Sequence, residues 1–399
     1  MSNNVKQIQE EVLKAFTEEI PSLYFSDKTE SEYRNHCEQF EYFYHHLLKL
    51  PPRMFENQSI LDFGAGTGES TIYFSNWGAK CTLIEINEKA INIAKKVFNK
   101  YANNKNDHEF VNTSIYDYET PNQFDFVKTG GVLAHTNDPE KGFNKLVSYL
   151  KPGGYVIYGD GNKAGNFQNQ LQRLIIFKFA STWDEMVEVA NQLFEEDLNR
   201  AQKYAGRTKR AIIFDKWVVP RLTNPSVSEV FEWFNNNNIK LYSSYPPIIQ
   251  PILSDSVRHY PRFEAQDFPQ IATLTEAFWM IYNEMDMIEV PKILNSFTSL
   301  HDTQLDLTEY VDDYNMGDDF DIDKMDGKIS KYLKALDRTD ITTYLTNRSG
   351  TFFEEVRFVL DLVDKGDFEK VRDYLKTTKE LFRGGNGVRQ IDFIGYKSK

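Results

Sequence analysis

The stretch Ser59-Ile-Leu-Asp-Phe-Gly-Ala-Gly-Thr-Gly-Glu-Ser70 constrains this chain more than any other. Apolar Ile60-Leu61 leads into Asp62, and glycine then recurs at every second position: Gly64, Gly66 and Gly68. A helix is predicted from Glu69 to about Trp77. A strand, a glycine turn and a helix N-terminus place backbone N–H groups beside a ligand with no Cβ in the way. The spacing departs from the dinucleotide fingerprint Gly-x-Gly-x-x-Gly, because Glu69 stands where the last glycine belongs. A carboxylate there is a poor neighbour for a pyrophosphate.

From residue 57 to 158 the hydrophobic pattern alternates between strand and helix. Strands are predicted at Ile60–Phe63, Lys80–Glu85, His108–Val111, Phe124–Val127 and Tyr155–Tyr158. Helices are predicted from Asn87 to Tyr101 and from Pro139 to Leu150, followed by a tight turn at Lys151-Pro-Gly-Gly154. A capped helix at Ser226–Phe234, with Glu229 three residues past Ser226, and a strand at Asn238–Tyr245 extend the pattern. Val388–Tyr396 alternates like a last strand. The fold expected is α/β, a doubly wound, mostly parallel seven-stranded sheet, with ligands outside the carboxyl ends of its strands.

Other segments elaborate this core. Residues 1–52 read as an N-terminal helical lid, with an N-cap at Asp27 supported by Glu30 and a stop at Pro51-Pro52. The main domain spans 53–250 and carries a helical insertion at about 163–215. Residues 251–385 form a helical C-terminal elaboration, including an acidic loop at 308–327 and a hairpin turning at Lys365-Gly366. Residues 386–399 hold the candidate last strand.

Composition narrows the function. Lys and Arg number 46 against 59 Asp and Glu, a net charge of −13, which argues against nucleic acid as partner. Cys37 and Cys81 show no metal or redox spacing. No apolar run approaches the ~18 residues needed to span a bilayer, and the N-terminus lacks a signal-peptide core. A cytoplasmic protein with no membrane association is expected, and its oligomeric state is open.

Four ordered segments then match a family. Asp62-Phe-Gly-Ala-Gly-Thr-Gly68, the strand end at Glu85, Gly131-Val-Leu-Ala-His-Thr136 and Leu150-Lys-Pro-Gly-Gly154 resemble the motifs of class I S-adenosylmethionine-dependent methyltransferases, nearest the branch acting on quinones and other small molecules. The resemblance covers residues 55–160 well and 226–245 loosely. It implies S-adenosylmethionine as cofactor, and Glu69 is tolerable beside its sulfonium and ammonium groups. Gly64, Ala65, Gly66 and Gly68 would lie against the methionine part, with Asp62 near the ammonium. Glu85 would hold the ribose hydroxyls, and Ile86 would line the adenine. The acid often found after the third strand is replaced here by Ser114, with Asp117 three residues later, and either could reach the adenine amino group. Thr129 and Gly130 would lie beside the methyl donor.

His135 is the candidate base, able to take a proton from a hydroxyl or amine as the methyl arrives. The alternative is that it only shapes the cofactor pocket, because methyl transfer can proceed by in-line positioning alone. Tyr33 and His36 sit on an aromatic helix that either packs on the next domain or reaches over the site. Tyr242 and Tyr245, at the end of a predicted strand, are candidates for the acceptor pocket. Asp318-Asp-Phe-Asp-Ile-Asp-Lys-Met-Asp-Gly327 fails as a calcium loop, since Ile322 and Lys324 fall where carboxylates belong, and no metal is expected. The acceptor expected is a small molecule methylated at O or N. The rival readings are a protein or peptide methyltransferase and a silent cofactor-binding regulator.

Overall fold

Five strands carry the architecture: β1 (Ser59–Phe63), β2 (Lys80–Glu85), β3 (Glu109–Asn112), β4 (Phe124–Gly130) and β5 (Leu150–Gly159). They run parallel in the order β3-β2-β1-β4-β5. Ile60, Leu61 and Phe63 of β1 are all fully buried, as a continuous apolar run requires in a sheet covered on both faces. One face packs Ile60, Leu83 and Phe126 against Phe55 and Phe74. The other packs Leu61, Phe63 and Val127 against Phe143, Leu146 and Trp233. The strand order reverses between β1 and β4, which opens a crevice at their carboxyl ends.

The computed structural model describes residues 3–20, 29–105, 107–205, 207–248, 266, 270, 272, 273, 276, 280, 289–313, 320–339 and 343–382. They divide into two units, Met1–Gln250 with Glu264–Tyr282, and Pro251–Phe263 with Asn283–Lys399.

In the first unit the helices are α1 (Asn3–Glu18), α2 (Glu30–Glu41), α3 (Ile72–Asn76), α4 (Glu88–Tyr101), α5 (Pro139–Ser148), α6 (Phe167–Phe179), α7 (Trp183–Leu193), α8 (Glu195–Ala205), α9 (Lys209–Ile213) and α10 (Val227–Asn236). Asn87 caps α4 by accepting from Lys89 N at 3.0 Å, and Ser226 with Glu229 forms the expected capping box of α10. The cap of α2 is Thr29 with Glu32, two residues beyond the expected Asp27 and Glu30; this pair satisfies both orphan donors reciprocally. Helix α3 starts later than expected, at Ile72, because the glycine turn continues through Ser70. The insertion α6–α9 and a π-helical turn at Phe214–Val218 bury Ile176, Ala190, Leu198, Ile213 and Trp217 around Ala15 of α1. Helix α1 thus packs on the insertion. Arg210 of α9 fastens its end, pairing with Glu18 (3.0 Å) and Glu19 (3.2 Å) as well as Asp184 (3.2 Å).

Three expectations are corrected. The described residues form a five-stranded sheet, not seven. Asn238–Tyr245 is not a strand: its polar groups are taken up elsewhere, with Leu241 N donating to Gln266 Oε1 (2.7 Å) and Gln266 Nε2 to Ile239 O (2.9 Å). The seventh strand expected at Val388–Tyr396 lies outside the described residues. The 151–154 turn is a bulge within β5, where Leu150 pairs with Phe124 and Tyr155 with Phe126.

In the second unit, most of the acidic segment expected as loop is helical, within Glu289–Asp312 and Ile322–Asp337. Leu307, Met325 and Ile329 supply a buried apolar stripe that the surrounding acids masked. The helical hairpin turns as expected at Gly366 (φ +65°), between Thr343–Asp364 and Phe368–Leu375.

One buried ion pair joins the two central strands. Lys128 of β4 reaches both carboxylate oxygens of Asp62 in β1 (3.0 and 2.9 Å), and Thr71 and Ser70 complete the group. Breaking a buried pair strands a charge, at a cost of about 3–5 kcal/mol. Lys128→Met should lower unfolding free energy by about that amount in urea titration, and Lys128→Met with Asp62→Leu should recover much of the loss. Equal losses in single and double variants would contradict a paired role.

Candidate functional site

At the switch point lies a cavity of about 440 Å³. The sheet supplies Gly64–Thr67 after β1, Glu85–Asn87 after β2, Ser114–Tyr116 after β3 and Gly130–Val132 after β4. Helix α1 covers it with Val12, Leu13 and Phe16, Ile20 follows just past its end, and His36, His135, Arg207 and Asp215 add to the wall.

The glycine turn contributes shape. Gly64, Gly66 and Gly68 all have positive φ (+69°, +54°, +76°), a region that favours glycine. A Cβ on Gly64 would stand 2.4 Å from Val132 Cγ2. The amides are committed within the protein: Gly64 and Ala65 donate to Ile84 O (2.8 and 3.0 Å), Gly68 to Ala65 O (2.9 Å) and Gly66 to Glu85 Oε2 (2.8 Å). These four amides are therefore not free for a ligand. The Thr67 hydroxyl is buried at the cavity wall without a hydrogen-bond partner.

Glu85 binds two backbone amides, Gly66 N through one oxygen and Asn87 N through the other (2.7 Å). Burial pushes its carboxyl above the usual value, and those amides oppose the shift. Each oxygen keeps a further lone pair for ligand hydroxyls.

His135 sits on a single 3-10 turn, Leu133–His135. Its Nδ1 lies 3.0 Å from Arg221 O. A carbonyl only accepts, so Nδ1 carries a proton and Nε2 is the ring nitrogen turned to other partners. Phe16 meets the ring edge-on at 5.0 Å. Asp160, just past β5, accepts from Ala134 N (3.0 Å) and secures the turn. Burial pushes the Asp160 carboxyl up to about 6, against the pull of the Ala134 amide. Burial also lowers His36, to about 4, which keeps that imidazole neutral at the cavity wall.

Of the residues expected at the site, Gly64, Ala65, Gly66, Glu85, Ile86, Ser114, Gly130, His36 and His135 line one cavity. The others lie elsewhere. Asp62 is buried in its ion pair, and Thr129 donates to Phe63 O at 3.1 Å. Gly68 packs on Ala94 and Phe98. Asp117 is exposed, whereas Ser114 is buried at the cavity and accepts from Tyr116 N at 3.3 Å. Tyr33 stacks on Tyr101 at 3.8 Å and accepts from Asn76. Tyr242 and Tyr245 are more than half exposed, and the Tyr242 hydroxyl donates to Lys49 O. Sequence reading expected a helical lid over residues 1–52 but named Tyr33 and His36 on it rather than Val12, Leu13 and Phe16, which fall at helical spacing on one face. It also missed Arg207, Asp215 and Asp160, single polar residues with no motif around them.

A parallel sheet with a glycine turn after β1 and an acid closing β2 defines a doubly wound domain for a nucleoside-bearing cofactor. Comparison with known proteins specifies it. A family model described as a methyltransferase domain matches residues 34–203. Over 111 residues the chain is 38% identical to an uncharacterized protein of Synechococcus sp., covering 26% of each chain. Over 107 residues it is 30% identical to a ubiquinone biosynthesis O-methyltransferase of Thiobacillus denitrificans, covering 27% of this chain and 45% of that one. It thus spans less than half the length of either relative. The S-adenosylmethionine-bound magnesium protoporphyrin IX methyltransferase of Synechocystis aligns over 29% of this chain and 55% of its own, with 19% identity and a TM-score of 0.25. The likeness to a methyltransferase domain thus lies in residues 34–203.

Glu85 offers a direct test. Glu85→Ala should weaken S-adenosylhomocysteine binding by calorimetry about tenfold or more, as for loss of charge-assisted hydrogen bonds. Because burial raises its pKa, wild-type affinity should fall as pH drops through that raised value and the carboxylate is protonated. Glu85→Gln should flatten the profile. A pH-independent wild-type affinity would remove the carboxylate from cofactor binding.

Proposed function

We propose that the protein transfers a methyl group from S-adenosylmethionine to an oxygen or nitrogen of a small-molecule acceptor. The observation that carries this reading is the convergence of Glu85, the glycine turn and His135 on one cavity. When bound, S-adenosylmethionine supplies an electrophilic methyl on a sulfonium. Glu85 accepts the ribose hydroxyls, Ile86 and Ser114 flank the adenine, and the Thr67 hydroxyl receives the amino-acid end. His135 Nε2 takes the acceptor's proton while Asp160 and Arg221 O hold the turn in place. Phe16 closes the ring side against water.

A cavity of about 440 Å³ falls in the size range of small-molecule clefts, roughly 300–1,000 Å³, which favours a small acceptor over a docked protein. The O-methyltransferase of Thiobacillus denitrificans is in keeping with an oxygen acceptor. In this reading α1 and the helical insertion together form the cover. Among the described residues no helix is long and apolar enough to cross a membrane.

Turnover to S-adenosylhomocysteine with metabolite extracts but not with protein fractions is the expected result; the reverse would overturn the small-molecule assignment. His135→Ala should lower kcat about 10²–10⁴-fold, the usual range for a general base, with S-adenosylhomocysteine affinity unchanged. Full activity in that variant would leave His135 structural.

A further inference from the structure

The cavity wall contains a charge that the methyl-transfer reading does not use. Among the described residues lining the cavity, Arg207 alone is a lysine or arginine. Its Nη1 donates to Asp215 Oδ2 at 3.0 Å, a single end-on contact, with both side chains about one-third exposed (31% and 34%). A guanidinium has five N–H donors in a fixed fork, suited to a planar carboxylate. Asp215 holds it at one corner and leaves the rest of the fork for a ligand.

The placement is built. Asp215 belongs to the π-helical turn Phe214–Val218, whose Phe214 and Trp217 are buried in the insertion core; π-helical turns recur at functional sites. Facing them in the same cavity, α1 presents Val12, Leu13 and Phe16. A charge beside an apolar wall is poorly screened and strongly felt. The other two carboxylates of the lining, Glu69 and Glu85, belong to the glycine turn and the end of β2.

We propose that Arg207, steadied by Asp215, docks a carboxylate on the methyl acceptor, so that the acceptor is a small acid with an apolar or aromatic body. This rests on the cavity being the methyl-transfer site. Two sources of carboxylate are possible in such a cavity, the acceptor and the methionine end of the cofactor, and the test separates them.

The full chain, saturated with S-adenosylhomocysteine, would be titrated with benzoate and with neutral benzamide. Benzoate should bind at least about tenfold more tightly, and Arg207→Gln should abolish that preference while S-adenosylhomocysteine affinity stays unchanged. Asp215→Asn, which keeps an acceptor for Arg207 but removes the competing charge, should tighten benzoate binding. A purely structural pair would not respond in opposite directions. Three results would overturn the proposal: no benzoate binding at tens of millimolar, an equal preference in wild type and Arg207→Gln, or weakened S-adenosylhomocysteine binding in Arg207→Gln with 5′-methylthioadenosine binding intact. The last would assign Arg207 to the cofactor's own carboxylate. Failure of the methyl-transfer reading would show separately, as no S-adenosylhomocysteine binding in the wild type.

Discussion

The carboxylate of Glu85 is the constraint on which the site depends. It accepts Gly66 N at 2.8 Å and Asn87 N at 2.7 Å, so one side chain joins the glycine turn after β1 to the entry of α4. Both bonds draw the group into a buried position that raises its pKa, and both leave lone pairs at the cavity. The turn can adopt its three positive-φ glycines because Glu85, Ile84 O and Ala65 O absorb its amides. The glycine turn is thus held by the protein's own hydrogen bonds, the kind of preorganisation that tight, oriented binding needs.

Around that cradle the chain places two different surfaces. The sheet side is polar and fixed, with Glu85, Ser114 and the Thr67 hydroxyl. The cover is made by α1 and the insertion, which share one apolar core around Ala15, Ile213 and Trp217. Asn87 links the two, capping α4 while its Nδ2 donates to Phe16 O at 3.0 Å. His135 stands where these surfaces meet, with its ring against Phe16 and its backbone turn anchored by Asp160.

Much of this was legible in the residues. Continuous apolar runs ending in Asp62, Glu85 and Gly130 announced parallel strands, and the capping residues Asn87 and Ser226 marked helix starts where the structure has them. Other features depended on packing that a linear pattern does not encode. The Asp62 side chain is taken by Lys128, its register partner on the neighbouring strand β4 and far away in sequence. Residues 238–245 have strand-like alternation, yet Gln266 and the backbone of Leu48 and Lys49 take their polar groups. Asp117 looked the equal of Ser114 until the turn after β3 left it at the surface. Arg207 and Asp215 acquire meaning only when the insertion packs against α1 and brings both to the cavity.

The most direct measurement is calorimetric titration of the full chain with S-adenosylmethionine and, separately, with NAD. A glycine turn carrying Glu69, closed by Glu85 and shaped by Val132 against Gly64, predicts saturable one-to-one binding of S-adenosylmethionine and no heat with NAD. Binding of NAD in preference to S-adenosylmethionine, or of neither, would contradict the account.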